Sequence, residues 1–305
     1  MNKYLVYLEW PEQCFRVNAE ALRFLRTKVK RGSVIKRVRN DEELLKELPT
    51  ATHVITWHFK EEWYGVGKRL KVVATPAAGR ELVELPADKS VRVPEIHFGH
   101  FHGAAIAESV LAYMLAWCRG VLQRNKESWQ RQHLSDKMYR VAGTKAVILG
   151  YGNIGKAIGS LLEKVEVEVK GIRRANFSSI YKEVKGADWL ICALPSDTGT
   201  DNLVDAKLLR CMKKRSILIN IGRGNCVDEL ALGKALAENK IAAAILDVVK
   251  HEPTWGKCHR GGALGDCALP QIGPRGAIVM GHSSAFYPEY VKDAIDELDR
   301  DGLLS

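Results

Sequence analysis

"KAVILGYGNIGKAIG", residues 145–159, is an apolar run that breaks into three glycines and resumes with apolar residues at helical spacing. Five residues from Lys145 to Leu149 read as a buried strand. Ile154, Ile158, Leu161 and Leu162 read as the sheet-facing side of the helix that follows. Gly150, Gly152 and Gly155 stand where a strand–turn–helix unit that holds a dinucleotide needs them. The first permits the tight turn, the second lets a pyrophosphate approach the backbone, and the third lets helix and strand close up. The phosphates then rest on unpaired N–H groups at the positive end of the helix. Glycine triplets also arise in ordinary turns, and the order strand, turn, helix is what favours the dinucleotide reading here.

The next strand is expected over 165–172. A chain that binds NAD places an acid just beyond it to accept from the ribose 2′-hydroxyl. This sequence has Arg173 and Arg174 instead. A guanidinium pairs with a 2′-phosphate in two-pronged fashion, and the missing acid removes the repulsion that would exclude it. The alternative is a pair of solvated surface arginines. The pattern favours NADP(H), with NAD(H) open.

Working outward, the same alternation fills both halves of the chain. "YLVYL", "SVIKRV", "HVITW", "LKVVAT" and "SVRVPEI" read as strands, with "DEELLKEL" and "KEEWYGV" as helices between them and Asn18 as the cap of an earlier helix. A long apolar helix is expected over 104–122, with Ile106, Val110, Met114 and Cys118 on one stripe. The polar stretch after it reads as a surface connection. "KAVILG", "DWLICAL", "SILINIG", "AAAILDV" and "GAIVMGH" are buried-type strands, and Val291, Ala294, Ile295 and Leu298 mark a last amphipathic helix. The fold class is therefore α/β, with two doubly wound parallel-sheet domains.

The 305 residues carry 46 Lys and Arg against 36 Asp and Glu, a net charge of +10. The basic residues cluster at 28–31, 36–39 and 213–215 without a tail or a nucleic-acid motif. This points to small anionic ligands, with no nucleic-acid and no membrane partner. Seven cysteines, without framework spacing, fit a reducing compartment. Cys258 and Cys267 with His251 and His259 match no zinc spacing, and no metal is expected. "MNKYLVYLEW" turns acidic too soon for a signal peptide, so a cytoplasmic location is expected.

"LGYGNIGKAIG", "ALPSDTGTDNLVDAKLLRCMKKRSILINIGRG", "VDELALGKALAENKIAAAILDVVKHEP" and "GHSSAFY" resemble the D-isomer-specific 2-hydroxyacid dehydrogenases, which include glyoxylate/hydroxypyruvate reductases and D-lactate dehydrogenases. The likeness runs from about residue 104 to 287 and is looser before it, where "VVATPAAGRELV" resembles the family's substrate loop. It implies a flavodoxin-like substrate domain (1–100 and 286–305) and a Rossmann cofactor domain (101–285), with the active site in the cleft between them. It also implies a homodimer formed through the long helix.

Carried over by position, the resemblance makes Arg223 the binder of the substrate carboxylate, His282 the general acid and Glu252 its partner. The backbone of Ala78 and Gly79 cradles the same carboxylate. Cofactor contacts fall on Gly150, Tyr151, Gly152, Asn153, Ile154 and Gly155, on Arg173 and Arg174, on Leu194, Pro195 and Thr200, on Ile221 and Gly222, and on Asp247. The chemistry agrees: hydride addition to a carbonyl develops negative oxygen, which a proton donor and a fixed cation both stabilise. A carboxylate beside imidazole keeps it charged. Singly, Arg223 reads equally as a strand-end ion-pairing arginine, Glu252 as an exposed acid before Pro253, and His282 as a packed core histidine.

The implied reaction is reduction of a small 2-ketoacid, of the glyoxylate or hydroxypyruvate type, to the D-2-hydroxy acid. A catalytically silent nucleotide-sensing protein and a formate- or phosphite-type relative are the alternatives. The stretch between Arg174 and Ala187 is shorter than the family's, which implies a trimmed strand on the adenosine side. Residues 254–276 are a longer, glycine-richer link than usual. In "HFGHFH", His97, His100 and His102 read as packing where the chain leaves the first domain, as substrate contacts, or as metal ligands. Trp57 reads as strand-end packing or as a cap on the substrate pocket.

Overall fold

The computed structural model describes residues 1–11, 13–122, 138–250, 277–279 and 287–304, with 277–279 described as backbone. The chain forms two compact units, Met1–His102 with Phe286–Ser305, and Gly103–Ala285.

In the first unit five parallel strands alternate with helices: β1 (Lys3–Tyr7), α1 (Ala19–Lys28), β2 (Val34–Arg37), α2 (Asp41–Glu47), β3 (His53–Thr56), α3 (Trp63–Val66), β4 (Val72–Thr75) and β5 (Glu95–Phe98). Their order is β2-β1-β3-β4-β5, the flavodoxin-like arrangement. Alternation along β1 sends Tyr4 and Val6 to one face and Leu5 to the other. The first face packs with Leu25, Trp57, Tyr290, Val291, Ile295 and Leu298, the second with Leu44, Leu48, Val54, Trp63 and Val73. Asn18 and Asn40 cap α1 and α2 by accepting from Ala21 N and Glu43 N at 2.7 and 2.8 Å. Each such cap holds an otherwise orphaned N–H and contributes about 1 kcal/mol.

The last helix of the chain, α9 (Tyr290–Arg300), belongs to this unit. Its apolar stripe enters the first face, and Lys28 of α1 pairs with its Asp296 and Asp299 at 2.9 and 3.0 Å. Tyr4 Oη donates to the Leu304 carbonyl at 3.0 Å. Two elements depart from expectation. The strand expected over "SVRVPEI" begins only at Glu95, because Pro94 brings no N–H to a ladder. "KEEWYGV" yields a single turn, α3, ended at Gly67.

The second unit holds α4 (Gly103–Cys118), β6 (Lys145–Leu149), α5 (Asn153–Lys164), β7 (Glu168–Ile172), α6 (Ile180–Val184), β8 (Trp189–Cys192), α7 (Ala206–Cys211), β9 (Ile217–Asn220), α8 (Glu229–Ala237), β10 (Ala243–Leu246) and β11 (Ala277–Val279). The six strands lie in the order β11-β10-β9-β8-β6-β7, and every pairing is parallel. β8, β9 and β10 are buried at every residue, which is why they read as unbroken apolar runs. In α4, Ile106, Val110, Met114 and Cys118 are buried as expected, but the helix stops at Cys118 rather than near residue 122. Among the described residues, no helix is long and apolar enough to cross a membrane.

Compared with the 3-2-1-4-5-6 order of dinucleotide folds, the strand beyond β7 is missing. Residues Arg174–Ser179 make a 3-10 turn, α6 follows, and the chain returns to pair β8 with β6. The short stretch after Arg174 has no room for another strand, and β7 is left as the sheet edge. The direction in which successive strands are added reverses at β6, with β7 on one side and β8 on the other. The loops that leave the carboxyl ends of β6 and β8 therefore flank the crevice where open α/β sheets bind ligands.

Candidate active site

The glycine loop leaves β6 at that crevice. Gly150 has φ +93°, a left-handed conformation, and a side chain there would run into the Ala193 carbonyl after β8. A side chain at Gly155 would strike the Gly150 carbonyl, so the third glycine is what lets α5 close on the turn. Gly152, at the head of α5, faces open space: a Cβ there meets nothing within 4 Å. Helices α1, α2, α7 and α8 each begin with a side chain that accepts from their first turn, but α5 has none. Its leading N–H groups, at Asn153 and Ile154, have no side-chain cap and suit an anion. Tyr151 turns inward, its ring lying against Gly159 and Gly171.

Beyond β7, Arg173 is exposed, and its Nε donates to the Tyr151 carbonyl at 3.2 Å, which ties it to the glycine loop. Arg174 forms an ion pair with Asp197 in the loop after β8. The two arginines therefore differ: among the described residues no carboxylate pairs with Arg173, whereas Arg174 already has one. That loop is closed by Thr200. Its buried hydroxyl donates to the Pro195 carbonyl at 2.7 Å and accepts from Asp197 N at 3.0 Å. Leu194 is buried and Pro195 exposed.

Arg223 follows β9 in a loop made of close backbone approaches. A Cβ on Gly222 would lie 2.6 Å from the Leu194 carbonyl, and one on Gly224 would strike the backbone of Val249. The loops after β8, β9 and β10 thus pack against one another through their backbones, with Ile221 buried beneath them. Arg223 is partly buried and donates from one terminal nitrogen to the Gly222 carbonyl at 3.0 Å. Asn220, at the end of β9, accepts from Gly222 N at 3.2 Å and donates to the Arg223 carbonyl at 3.1 Å. Asp247 is buried at the end of β10, where Tyr113 of α4 donates to its carboxylate at 3.3 Å. Glu229 of α8 accepts from Lys250 N at 2.7 Å and braces the chain just past Asp247. Asn220, Tyr113 and Glu229 escaped the sequence reading. Asn220 and Glu229 show there only as polar residues at the edge of an apolar run, and Tyr113 only as an aromatic within one.

Beneath Arg223, Cys192 and Cys226 are buried as free thiols. The Cys226 thiol beside it, together with full burial, holds Cys192 well above the usual thiol range. Ala78 and Gly79 lie in the first unit, in the loop beyond β4. Trp57 is buried and donates to the Phe15 carbonyl at 3.1 Å. Glu252 and His282 lie outside the described residues, as do Cys258, Cys267, His251, His259 and the 254–276 link.

Residues 111–259 match the family described as D-isomer specific 2-hydroxyacid dehydrogenase, NAD binding domain. Over this region the chain belongs to the D-isomer specific 2-hydroxyacid dehydrogenase family. It is 28% identical over 214 residues to a glycerate dehydrogenase of Methylorubrum extorquens, covering 67% of each chain. It is also 28% identical over 230 residues to the D-3-phosphoglycerate dehydrogenase of Escherichia coli, covering 70% of this chain but only 56% of the relative. Among solved structures, an acyclic imino acid reductase (Bsp5) in complex with NADPH and D-Arg superposes with a TM-score of 0.75. That match has 20% identity over 97% of this chain and 94% of the other. The NAD-complexed D-isomer specific 2-hydroxyacid dehydrogenase of Lactobacillus delbrueckii ssp. bulgaricus also gives 0.75, at 18% identity over 99% and 96%. The matched domain is described as NAD binding, and the two solved structures hold NADPH in one case and NAD in the other. The basic clusters that raised the question of larger anions are partly spent inside the fold: Lys28 pairs with α9, Lys36 with Glu47, and Lys213 and Arg215 with Asp188.

Proposed function

We propose that this dehydrogenase reduces a small 2-ketoacid, of the glyoxylate or hydroxypyruvate type, to the D-2-hydroxy acid, with NADPH preferred over NADH. The observation that supports it best is the uncapped head of α5 under open space at Gly152, with Arg173 tethered beside it and Arg223 and Asp247 on neighbouring strand ends.

A bound nicotinamide supplies the hydride for the keto carbon. The backbone N–H groups of Gly152, Asn153, Ile154 and Gly155 would hold the pyrophosphate, over a turn that Gly150 and Tyr151 fix by donating to the Ile172 carbonyl, and Arg173, seconded by Arg174, would pair with the 2′-phosphate. Leu194, Pro195, Thr200, Ile221 and Gly222 would line the nicotinamide site, and Asp247 would accept from the carboxamide. Arg223 binds the substrate carboxylate and polarises the keto oxygen. As the hydride reaches carbon, His282 gives its proton to the oxygen, and Glu252 keeps that imidazole charged beforehand. The products are the hydroxy acid and oxidised coenzyme.

A homodimer built on α4, whose Leu115 is exposed, belongs to the same reading and is checked by sedimentation. The test of the function is loss of nicotinamide absorbance with NADPH and with NADH against a panel of 2-ketoacids. Turnover of a small ketoacid, faster with NADPH, is expected. Cofactor binding without turnover of any ketoacid would favour a silent sensor, and turnover of formate or phosphite alone would favour the other alternative.

A further inference from the structure

Three of the residues that the "HFGHFH" run and α9 bring together do something that hydride transfer does not use. His97 ends near the rim of β5 and His100 lies just beyond it; Glu297 is on α9, two hundred residues away in sequence. His97 Nε2 lies 3.0 Å from one Glu297 carboxylate oxygen, and His100 Nδ1 lies 3.4 Å from the other. One donor atom from each of the three falls within 4.8 Å of the others. We propose that His97, His100 and Glu297 form a binding site for a divalent transition metal of the zinc type.

The geometry supports it in three ways. Ligand atoms about 2.0–2.1 Å from a tetrahedral ion stand roughly 3.3–3.4 Å apart; the two histidine–glutamate spacings are 3.0 and 3.4 Å, and the three donor atoms lie within 4.8 Å of one another, so the half-exposed His100 ring closes the set by a small turn. Two imidazoles and a carboxylate are a donor set that suits zinc or cobalt and gives little hold on magnesium or calcium. The third point is Asp301, past the end of α9. Its carboxylate lies 3.7 Å from Nδ1 of His97 and 3.8 Å from Nε2 of His100, facing in each ring the nitrogen that Glu297 does not. A carboxylate behind the far nitrogen of a ligating histidine fixes its tautomer and raises its basicity, and metal-bound histidines nearly always have such a partner.

The groups are also held in place and reachable. Glu297 is 2% exposed, and both its oxygens accept from the His100 backbone N–H at 3.1 and 3.0 Å. His97 is 12% exposed and His100 47%, so the site opens to solvent on the His100 side, where water completes the coordination. His102 takes no part: it is buried, with Nε2 2.6 Å from the Tyr290 hydroxyl. An ion here fastens α9 to the rim of the five-stranded sheet, and so ties the two ends of the chain within the first unit.

The test uses the full chain, stripped with a chelator and titrated with zinc chloride by calorimetry, and with cobalt(II) by absorption. One zinc equivalent is expected in the wild type, with a rise in melting temperature. His100→Ala is expected to lose it, and Asp301→Asn to weaken it about 10–100-fold. Cobalt is expected to give ligand-field bands without a thiolate charge-transfer band, since no cysteine is a ligand. The proposal is overturned if the wild type binds no zinc. It is equally overturned if His97→Ala/His100→Ala keeps the equivalent undiminished, or if the cobalt spectrum shows thiolate ligation, which would move the ion to the Cys258–Cys267 region. The cobalt spectrum needs no variant and stands even where a substitution impairs folding.

Discussion

Replacing Arg173 by Asp tests the coenzyme preference at its source. Arg173 is exposed, spends Nε on the Tyr151 carbonyl, and has its terminal nitrogens without a carboxylate among the described residues. A hydrogen bond to a charged group is worth about 1.5–3 kcal/mol, and solvent at an exposed guanidinium cuts this to about 1–2. Placing a carboxylate near a phosphate adds roughly 1 kcal/mol of repulsion. The sum, about 2–3 kcal/mol, is a loss of roughly 30- to 150-fold in NADPH affinity. NADH has no 2′-phosphate to lose, and the new acid can accept from its ribose hydroxyl, so its affinity is expected to hold or improve. Arg174→Ala is expected to cost NADPH much less, because that side chain is already paired with Asp197. Dissociation constants from nicotinamide fluorescence at fixed ionic strength give the answer. Equal losses for both coenzymes would mean that Arg173 supports the glycine loop without reading the phosphate, and no change in either would refute its role outright.

Two glycines of the loop are expected to part company. Gly152→Ala leaves stability within about 0.5 kcal/mol, since the new Cβ meets nothing, yet weakens coenzyme binding more than tenfold by occupying the phosphate approach. Gly150→Ala is expected to destabilise the chain itself by at least about 1–2 kcal/mol, from the left-handed backbone and the clash with Ala193. Denaturant melts with and without NADPH separate the two, and matched effects would contradict the assignment of roles. Burial, aided by Lys71, pushes His53 down to about 4. The unfolded chain takes up that proton near 6.5, so the contribution, cut by solvent screening to on the order of 2–3 kcal/mol, is complete above that pH and lost as pH falls towards 4. His53→Gln should flatten the fall in melting temperature between pH 7 and 5; parallel profiles would show that other groups carry it.

What was legible in the sequence follows from burial. β8, β9 and β10 are covered on both faces, so their sequences have no polar interruption and could be nothing else once the glycine loop set the fold. The loop itself was readable because Gly150 and Gly155 answer local steric demands and Gly152 leaves the approach to the helix head open. β5 was placed too early because "SVRV" carries strand-forming residues, while the ladder starts only past Pro94. The different fates of Arg173 and Arg174 were hidden, since Asp197 belongs to another loop and its approach depends on β8 lying beside β6. The histidine cluster was hidden for the same reason at greater range. "HFGHFH" announces its imidazoles, but the carboxylates that face them come from α9. Asn220, Tyr113 and Glu229 act by bracing, and bracing leaves no spacing pattern.

The central claim is that Arg223 belongs to a site that passes hydride to a 2-ketoacid. The most direct measurement follows deuterium from NADPH labelled at C4 into glyoxylate or hydroxypyruvate, with the wild type and with Arg223→Gln. The label is expected at C2 of the hydroxy acid, with kcat/KM falling about 100- to 1,000-fold in the variant while NADPH affinity is unchanged. Intact NADPH affinity with no label transferred to any ketoacid, or undiminished transfer in Arg223→Gln, would contradict it.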